Sequence, residues 1–173
     1  MKVYDGSQTE QTQDPAPERV KVGIAEYEVT TGGEELTTSG LGSCVGLGLV
    51  DSEHSVAGLI HVMLPESAEM TDGKPAKFAD TGTELLVEEM TSVGASVAAM
   101  EAKLAGGSDM LDFSEGGSGI GERNVIQVRA SLEEFGIPIT GEDVGGDHGR
   151  SLRLEPQSGE LVVKSANKEN YRL

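Results

Sequence analysis

The chain has 173 residues, of which 30 are acidic and 13 are basic, so its formal net charge is −17. This balance argues against a nucleic-acid-binding protein, which needs a concentrated basic surface, and against binding to an anionic membrane. The acidic residues are spread along the whole sequence. This favours a solvated surface adapted to high salt over an acidic face for a basic partner.

The pattern of apolar residues predicts a single domain over residues 19–166. Residues 1–18 are polar and show no periodicity, so we expect a disordered N-terminal segment, and residues 167–173 form a polar C-terminal tail. The chain has one cysteine and therefore no internal disulfide. Because it also has no apolar run long enough for a membrane span or a signal core, we expect a cytoplasmic protein.

The first predicted strand covers residues 20–24, where apolar and polar residues alternate, and Tyr27 and Val29 extend it after a one-residue slip, as in a bulged strand. Residues 45–50 and 56–64 are apolar runs separated by a short polar turn, which predicts two buried strands in a hairpin. Such a hairpin brings the two ends of this segment to the same end of a sheet.

Helices and strands are both predicted in the second half of the chain. Apolar residues at helical spacing predict helices over 78–93 and 122–135, each followed by a glycine. We predict strands in the second half of 96–104, over 137–144, and in a final hairpin of 151–154 with 160–164. This order indicates an α/β protein of the α+β type, with sheet and helix layers, and not a regular βαβ repeat.

The only cysteine, Cys44, lies in a stretch of small residues that includes Gly40, Gly42 and Ser43. Small neighbours let the backbone turn tightly and let another molecule approach, which favours an accessible thiol. The alternative is that Cys44 is a buried structural residue, because free cysteine usually behaves as a small hydrophobe.

A histidine can activate such a thiol by taking its proton. His61 is the best candidate, because the predicted hairpin brings its region close to Cys44. The alternative is that His61 is a structural core residue whose ring nitrogens are hydrogen-bonded within the protein. His54 lies in a polar turn and is predicted to be merely solvated. His148 lies in a glycine-rich loop, where it would be able to line a cleft.

A catalytic imidazole needs a third group that fixes its tautomer, and the hydroxyls of Thr37, Thr38 and Ser39 are equal candidates by spacing. The backbone N–H groups near Ser43 and Cys44 are candidates for an oxyanion hole, supported by the preceding glycine.

Two other kinds of site receive weaker support from the sequence. Three scattered histidines and one cysteine show no metal-ligand spacing, so we predict no metal or other cofactor. The glycine-rich residues 117–121 precede a helix, with Asp143 further on, as in a dinucleotide loop. No strand leads directly into this loop, so a helix-entry turn is the favoured interpretation.

Five segments in a fixed order resemble the CheD family of chemoreceptor glutamine deamidases. They are TSGLGSC at 38–44, IHVMLP at 60–65, AKLAGG at 102–107, IGERN at 120–124 and EDVGG at 142–146. The resemblance spans residues 20–163 and implies a three-layer α/β fold with likeness to deamidating bacterial toxins. This chain departs from the family pattern in its acidic surface and in Ser39.

The resemblance implies that Cys44 is the nucleophile, His61 the catalytic histidine and Thr38 its assisting hydroxyl. It implies hydrolysis of glutamine amides, and of glutamate methyl esters, on the cytoplasmic helices of chemoreceptors. It also implies binding to a CheC-type phosphatase, so a mainly non-catalytic regulatory role is the alternative function. A peptide-bond cysteine protease is a third possibility.

Overall fold

The computed structural model describes residues 18–67, 73–109, 119–165 and 169–173. The predicted N-terminal segment, except its last residue, and most of the glycine-rich stretch before the second helix lie outside the described residues. The helices are α1 (Ala79–Ser92) and α2 (Ile120–Phe135). The strands are β1 (Arg19–Lys21), β2 (Tyr27–Thr30), β3 (Glu35–Leu41), β4 (Val45–Asp51), β5 (Val56–Val62), β6 (Met100–Gly106), β7 (Ile139–Val144), β8 (Arg150–Glu155), β9 (Glu160–Ser165) and β10 (Tyr171–Arg172).

The strands form two five-stranded sheets. The central sheet has the order β2-β5-β4-β6-β7 and the outer sheet has the order β1-β3-β8-β9-β10. Both helices pack on one face of the central sheet, and the outer sheet packs on the other face. The result is an α+β sandwich of three layers, helix, sheet and sheet, so the predicted fold class is confirmed.

The residues of strand β4 alternate between the two faces of the central sheet. Leu47 and Leu49 pack against the helices, whereas Gly46 and Gly48 face the outer sheet. A Cβ atom at position 46 would lie 2.5 Å from Cδ1 of Leu152. The alternation of leucine and glycine therefore lets the two sheets approach closely while the helix side keeps a hydrophobic core.

The helices follow the predicted apolar pattern. In α1 the buried face includes Leu86 and Met90, and in α2 it includes Val125, Val128 and Leu132. Helix α2 ends at Phe135, and the next residue, Gly136, closes the last turn with a left-handed φ of 71°. Neither helix is long and apolar enough to cross a membrane, and no other described segment forms such a helix.

The prediction of one bulged strand near the N-terminus is wrong. Strand β1 is parallel to β3 in the outer sheet, whereas β2 is antiparallel to β5 in the central sheet. A turn separates them, closed by a hydrogen bond from the N–H of Glu26 to the carbonyl of Gly23, with Ala25 at a φ of 61°. The apparent slip in alternation is thus the point where the chain passes between sheets.

Candidate active site

The single cysteine lies where the chain leaves the outer sheet and enters the central one. Strand β3 ends at Leu41 and β4 begins at Val45, so Cys44 is the last residue of the connection. The β4–β5 pairing sets Val45 opposite Val62 and Gly46 opposite His61, which confirms the predicted hairpin.

Cys44 and His61 belong to the same face of this hairpin. Alternate residues of a strand share a face, so Cys44 shares that of Gly46, which lies directly opposite His61. This face looks toward the outer sheet, and Cys44, half-buried, packs against the core between the sheets. The two residues are diagonal cross-strand neighbours, a relation that spans about 7–8 Å between Cα atoms.

The outer sheet supplies the partner of the imidazole. The Oγ1 atom of Thr38 lies 2.8 Å from Nδ1 of His61 and 2.8 Å from the carbonyl oxygen of Val22. A hydroxyl has one proton, and Thr38 donates it to the carbonyl, so Thr38 accepts the hydrogen bond from Nδ1–H of His61. This arrangement leaves Nε2 of His61 unprotonated.

Strand alternation explains why Thr38 fills this position instead of its two hydroxyl neighbours. Along β3, Leu36 and Thr38 are buried between the sheets, whereas Thr37 and Ser39 lie on the open face of the outer sheet. The sequence alone did not distinguish among the three hydroxyl residues, because strand β3 was not predicted from it.

The imidazole is neutral at neutral pH. His61 is fully buried, and burial lowers its pKa from 6.5 to about 4. Within the described residues, Nε2 has no hydrogen-bond partner. Most buried polar atoms in proteins have a hydrogen-bond partner, so an unpaired buried nitrogen calls for an explanation, and a catalytic role is one of them.

The thiol is also neutral in this resting arrangement. Burial raises the pKa of Cys44, and a hydrogen bond from its own backbone N–H opposes that rise. Because the sulfur is not hydrogen-bonded to Nε2 of His61, the pair is not a preformed thiolate and imidazolium. In this state Nε2 of His61 carries no proton, and burial makes the imidazole a weaker base than a free histidine.

Three consecutive carbonyl groups hold the turn before the cysteine. The N–H of Ser108 donates to Gly42 O at 2.9 Å, and the N–H of Gly107 donates to Cys44 O at 2.8 Å. The side chain of Asn124 donates to Ser43 O at 2.9 Å. Since carbonyl and N–H point opposite ways across a trans peptide, the N–H of Cys44 points away from Asn124 and lies on the side of the cysteine's own sulfur.

Gly42 and Ser43, the residues predicted to support the oxyanion hole, lie in different environments. The N–H of Gly42 donates to Gly40 O at 3.1 Å, so this group closes the turn and is not free for a substrate. Ser43 is exposed at the surface of the turn. The contribution of Gly42 is its carbonyl, which anchors the turn to the end of β6.

Sequence reasoning gave no role to Asn124, although it quoted the segment that contains it. Its Nδ2 atom donates to both Ser43 O and Met63 O, each at 2.9 Å. One side chain therefore ties the cysteine turn to the end of the strand that carries His61. Asn124 is fully buried beside Val125 on the core face of α2, and a polar residue on such a face was the signal available.

The other histidines lie apart from this pair. His54 contacts the buried Asp51 at 2.7 Å between Nδ1 and Oδ2, at the opposite end of the β4–β5 hairpin. His148 lies next to Gly146 in the loop after β7. In the described part of the chain, neither His54 nor His148 forms a hydrogen bond to Cys44 or His61.

The alternatives to a cysteine site find no structural support in the described residues. Asp143 accepts hydrogen bonds from Arg150, at 3.1 Å, and from Tyr171. Burial, together with the hydrogen bond to Asp143, raises the pKa of Tyr171 to about 12. The carboxylate of Asp143 is thus engaged by the side chains of Arg150 and Tyr171. In the parts of the chain that the structure describes, no group of three or more potential ligands is placed to hold a metal ion.

A family profile described as CheD chemotactic sensory transduction matches residues 63–165, well over half of the chain. The chain belongs to the CheD family. The profile begins after Thr38, Cys44 and His61, and these three positions are spanned instead by matches to whole relatives.

Those relatives cover nearly all of this CheD-family chain. A probable chemoreceptor glutamine deamidase CheD from Haloarcula marismortui is 61% identical over 173 residues, 100% of both chains. One with the same description from Natronomonas pharaonis is 41% identical over 157 residues, 90% of this chain and 93% of its own. The chemoreceptor glutamine deamidase CheD of Bacillus licheniformis is 42% identical over 150 residues, 84% and 89% of the two chains.

Among solved structures, the Bacillus licheniformis hypothetical protein YfiH superposes with a TM-score of 0.43 at 13% identity. The superposition covers 68% of this chain and 49% of that one, and the likeness is too slight to carry an argument.

Proposed function

We propose that this CheD-family protein hydrolyses glutamine side-chain amides of chemoreceptors to glutamate, with Cys44 as the nucleophile. The observation that carries the proposal is the hydrogen bond from His61 Nδ1–H to Thr38, which leaves Nε2 unprotonated on the face shared with Cys44. The names of the full-length relatives support the choice of a glutamine amide on a receptor as substrate.

In the first half-reaction, the sulfur of Cys44 attacks the carboxamide carbon while Nε2 of His61 takes the thiol proton. The carbonyl π electrons move to oxygen, and the backbone N–H of Cys44 stabilises the resulting oxyanion. The imidazolium then gives its proton to the departing nitrogen, the C–N bond breaks, and ammonia leaves a thioester on Cys44.

In the second half-reaction, water attacks the thioester carbon while Nε2 of His61 takes a proton from the water. The C–S bond breaks, the sulfur recovers a proton from the imidazolium, and glutamate is released. Thr38 holds the Nδ1–H tautomer in both steps. A glutamate methyl ester follows the same route, with methanol as the leaving group.

A mainly regulatory role is the second candidate. The raised pKa of Cys44 favours it, because the thiol is not activated before a substrate arrives. In that case the protein acts as a cytoplasmic partner of a CheC-type phosphatase, and its cysteine serves the fold. Such a partnership is also compatible with catalysis, so only a measurement of chemistry separates the two.

The test uses the purified protein with the cytoplasmic fragment of a chemoreceptor, followed by mass spectrometry of the intact fragment and its peptides. We expect glutamine converted to glutamate, ammonia released, and a receptor adduct on Cys44 after acid quenching. Cys44→Ala should abolish all three, whereas Ser52→Ala, at the far end of the hairpin, should retain them. An active Cys44→Ala variant, or cleaved backbone fragments, would contradict the proposal.

A further inference from the structure

Four basic side chains meet in one groove on the open face of the outer sheet. The groove has a volume of about 310 Å³, and its lining includes Arg19, Lys21, Arg153 and Lys164 but no aspartate or glutamate. The chain has only 13 basic residues against 30 acidic ones. A concentration of four basic residues therefore stands out against the charge of the rest of the molecule, although carboxylates beside the groove contact its two arginines.

Strand register creates this cluster from distant parts of the sequence. Lys21 of β1 pairs with Thr37 of β3, which pairs with Arg153 of β8. Lys164 of β9 pairs with Ser151 of β8. These side chains share the face of the outer sheet that no other described layer covers.

The two arginines and the two lysines of the groove differ in their ion pairs with carboxylates. Arg19 and Arg153 contact Glu35 at 3.0 and 3.7 Å, and Arg153 also contacts Glu155 at 2.9 Å. Neither Lys21 nor Lys164 has a carboxylate within 4.0 Å among the described residues, and both are exposed. Among the described residues, the lysines are thus the part of the cluster without a carboxylate partner.

The groove leads toward the cysteine turn. A neighbouring depression of about 420 Å³ shares Ser151 and Lys164 with the groove and extends to Gly40. Gly40 has open space where a side chain would be, and it is four residues before Cys44. A polypeptide lying along the groove can therefore continue over the turn that carries the thiol.

We infer that this groove, centred on Lys21 and Lys164, is a docking site for an acidic segment of the protein substrate, next to the target glutamine. The inference rests on the proposed function for the identity of the substrate. Charge complementarity selects an acidic polypeptide, because two unneutralised ammonium groups attract carboxylates. A nucleic acid is the disfavoured polyanion, because the described lining of the groove includes no aromatic side chain on which a base would stack.

The kinetic test compares Lys21→Gln/Lys164→Gln with the wild-type protein on a chemoreceptor cytoplasmic fragment. We expect the KM for the fragment to rise by about three- to tenfold with kcat unchanged, because the lost contacts bind the substrate equally in ground and transition states. A short neutral peptide with one glutamine should be deamidated at the same rate by both proteins. The matched control is Lys74→Gln/Lys77→Gln, which removes the same charge beside α1 and should leave KM unchanged. An unchanged KM in the groove variant would overturn the inference.

A binding test separates this inference from the proposed chemistry. In a Cys44→Ala background, a fluorescent oligoglutamate peptide should bind with an affinity that falls as KCl is raised, and the groove variant should lose most of this binding. If the wild-type protein deamidates nothing, this result would still support docking of an acidic polypeptide. Equal affinity for a single-stranded oligonucleotide of the same charge, or equal binding by the groove variant, would overturn the inference.

Discussion

At the scale of single residues, the histidine combines two properties that rarely occur together. His61 is fully buried, yet only one of its two ring nitrogens has a partner in the described part of the chain. Burial keeps the ring neutral, and Thr38 fixes which nitrogen carries the proton. Both properties are needed if Nε2 is to accept a proton from Cys44.

The buried histidine makes stability depend on pH. Its pKa is about 4 in the folded protein and 6.5 in the unfolded chain, so the unfolded chain binds more protons between these values. Stability is therefore lost as pH falls from 6.5, by about 2 kcal/mol at pH ~5. Urea unfolding at several pH values should show this loss in the wild-type protein and a smaller loss in His61→Gln. Equal pH slopes would contradict the assignment.

The hydroxyl of Thr38 should matter more than its shape. Thr38→Val keeps the size but removes the acceptor of His61 Nδ1–H, so we expect kcat for receptor deamidation to fall by about tenfold or more. Thr38→Ser retains the hydroxyl and should keep most of the activity. Steady-state ammonia release measures both, and Thr38→Val with full activity would show that the hydrogen bond is dispensable.

Asn124 is expected to act by positioning. Asn124→Ala removes two hydrogen bonds to Ser43 O and Met63 O, and with them the side-chain link between the cysteine turn and the end of the histidine strand. We expect kcat to fall by about tenfold or more, with a smaller change in KM, because small displacements of reacting groups are costly. The control is Ser131→Ala, also buried on α2, which should retain activity. A loss confined to thermal stability would indicate a structural role alone.

At the scale of elements, the end of β6 determines the conformation of the cysteine turn. Gly106 and Gly107 have φ angles of 113° and 66°, and this path aims the N–H of Gly107 at Cys44 O. A Cβ atom at Gly106 would lie 2.3 Å from the same carbonyl oxygen. The contact needs glycine both for its φ and for its lack of a side chain.

A matched pair of substitutions separates these two requirements. Gly94 has a φ of 115° with nothing within 4 Å of an added Cβ, so Gly94→Ala reports the backbone penalty alone, about 1–2 kcal/mol. Gly106→Ala adds a collision with Cys44 O and should cost about 3 kcal/mol or more, with loss of deamidation. Chemical unfolding measures both, and equal costs would show that the turn relaxes freely.

The elements that could be predicted are those with a regular local pattern. Both helices and both the β4–β5 and β8–β9 hairpins follow from apolar spacing and turn residues. Strand β3 was missed because its glycine and hydroxyl residues resemble a turn, although Leu36 and Thr38 alternate with Thr37 and Ser39. The tail prediction did not foresee β10, which pairs with β9 at an edge.

At the scale of the whole molecule, the acidic surface should make stability depend on salt. Self-repulsion among charges that sum to −17 destabilises the compact state, and salt screens it. Raising KCl from about 0.1 M to about 1 M shortens the Debye length from about 10 Å to about 3 Å. We expect the midpoint of urea unfolding to rise over this range. A midpoint that stays constant or falls would contradict the prediction of a surface adapted to high salt.

The β4–β5 hairpin, which begins directly after Cys44 and contains His61, follows from the amino-acid pattern, because a strand period of two residues and a short polar turn set that pairing locally. Which hydroxyl meets the imidazole, how Asn124 joins the two halves of the site, and where the basic side chains gather depend on the packing of distant segments. These contacts join residues far apart in the chain across stacked sheets and a packed helix. Local periodicity indicates on which face of its strand or helix a residue lies. The stacking of the layers determines which residues of the neighbouring layer that face contacts.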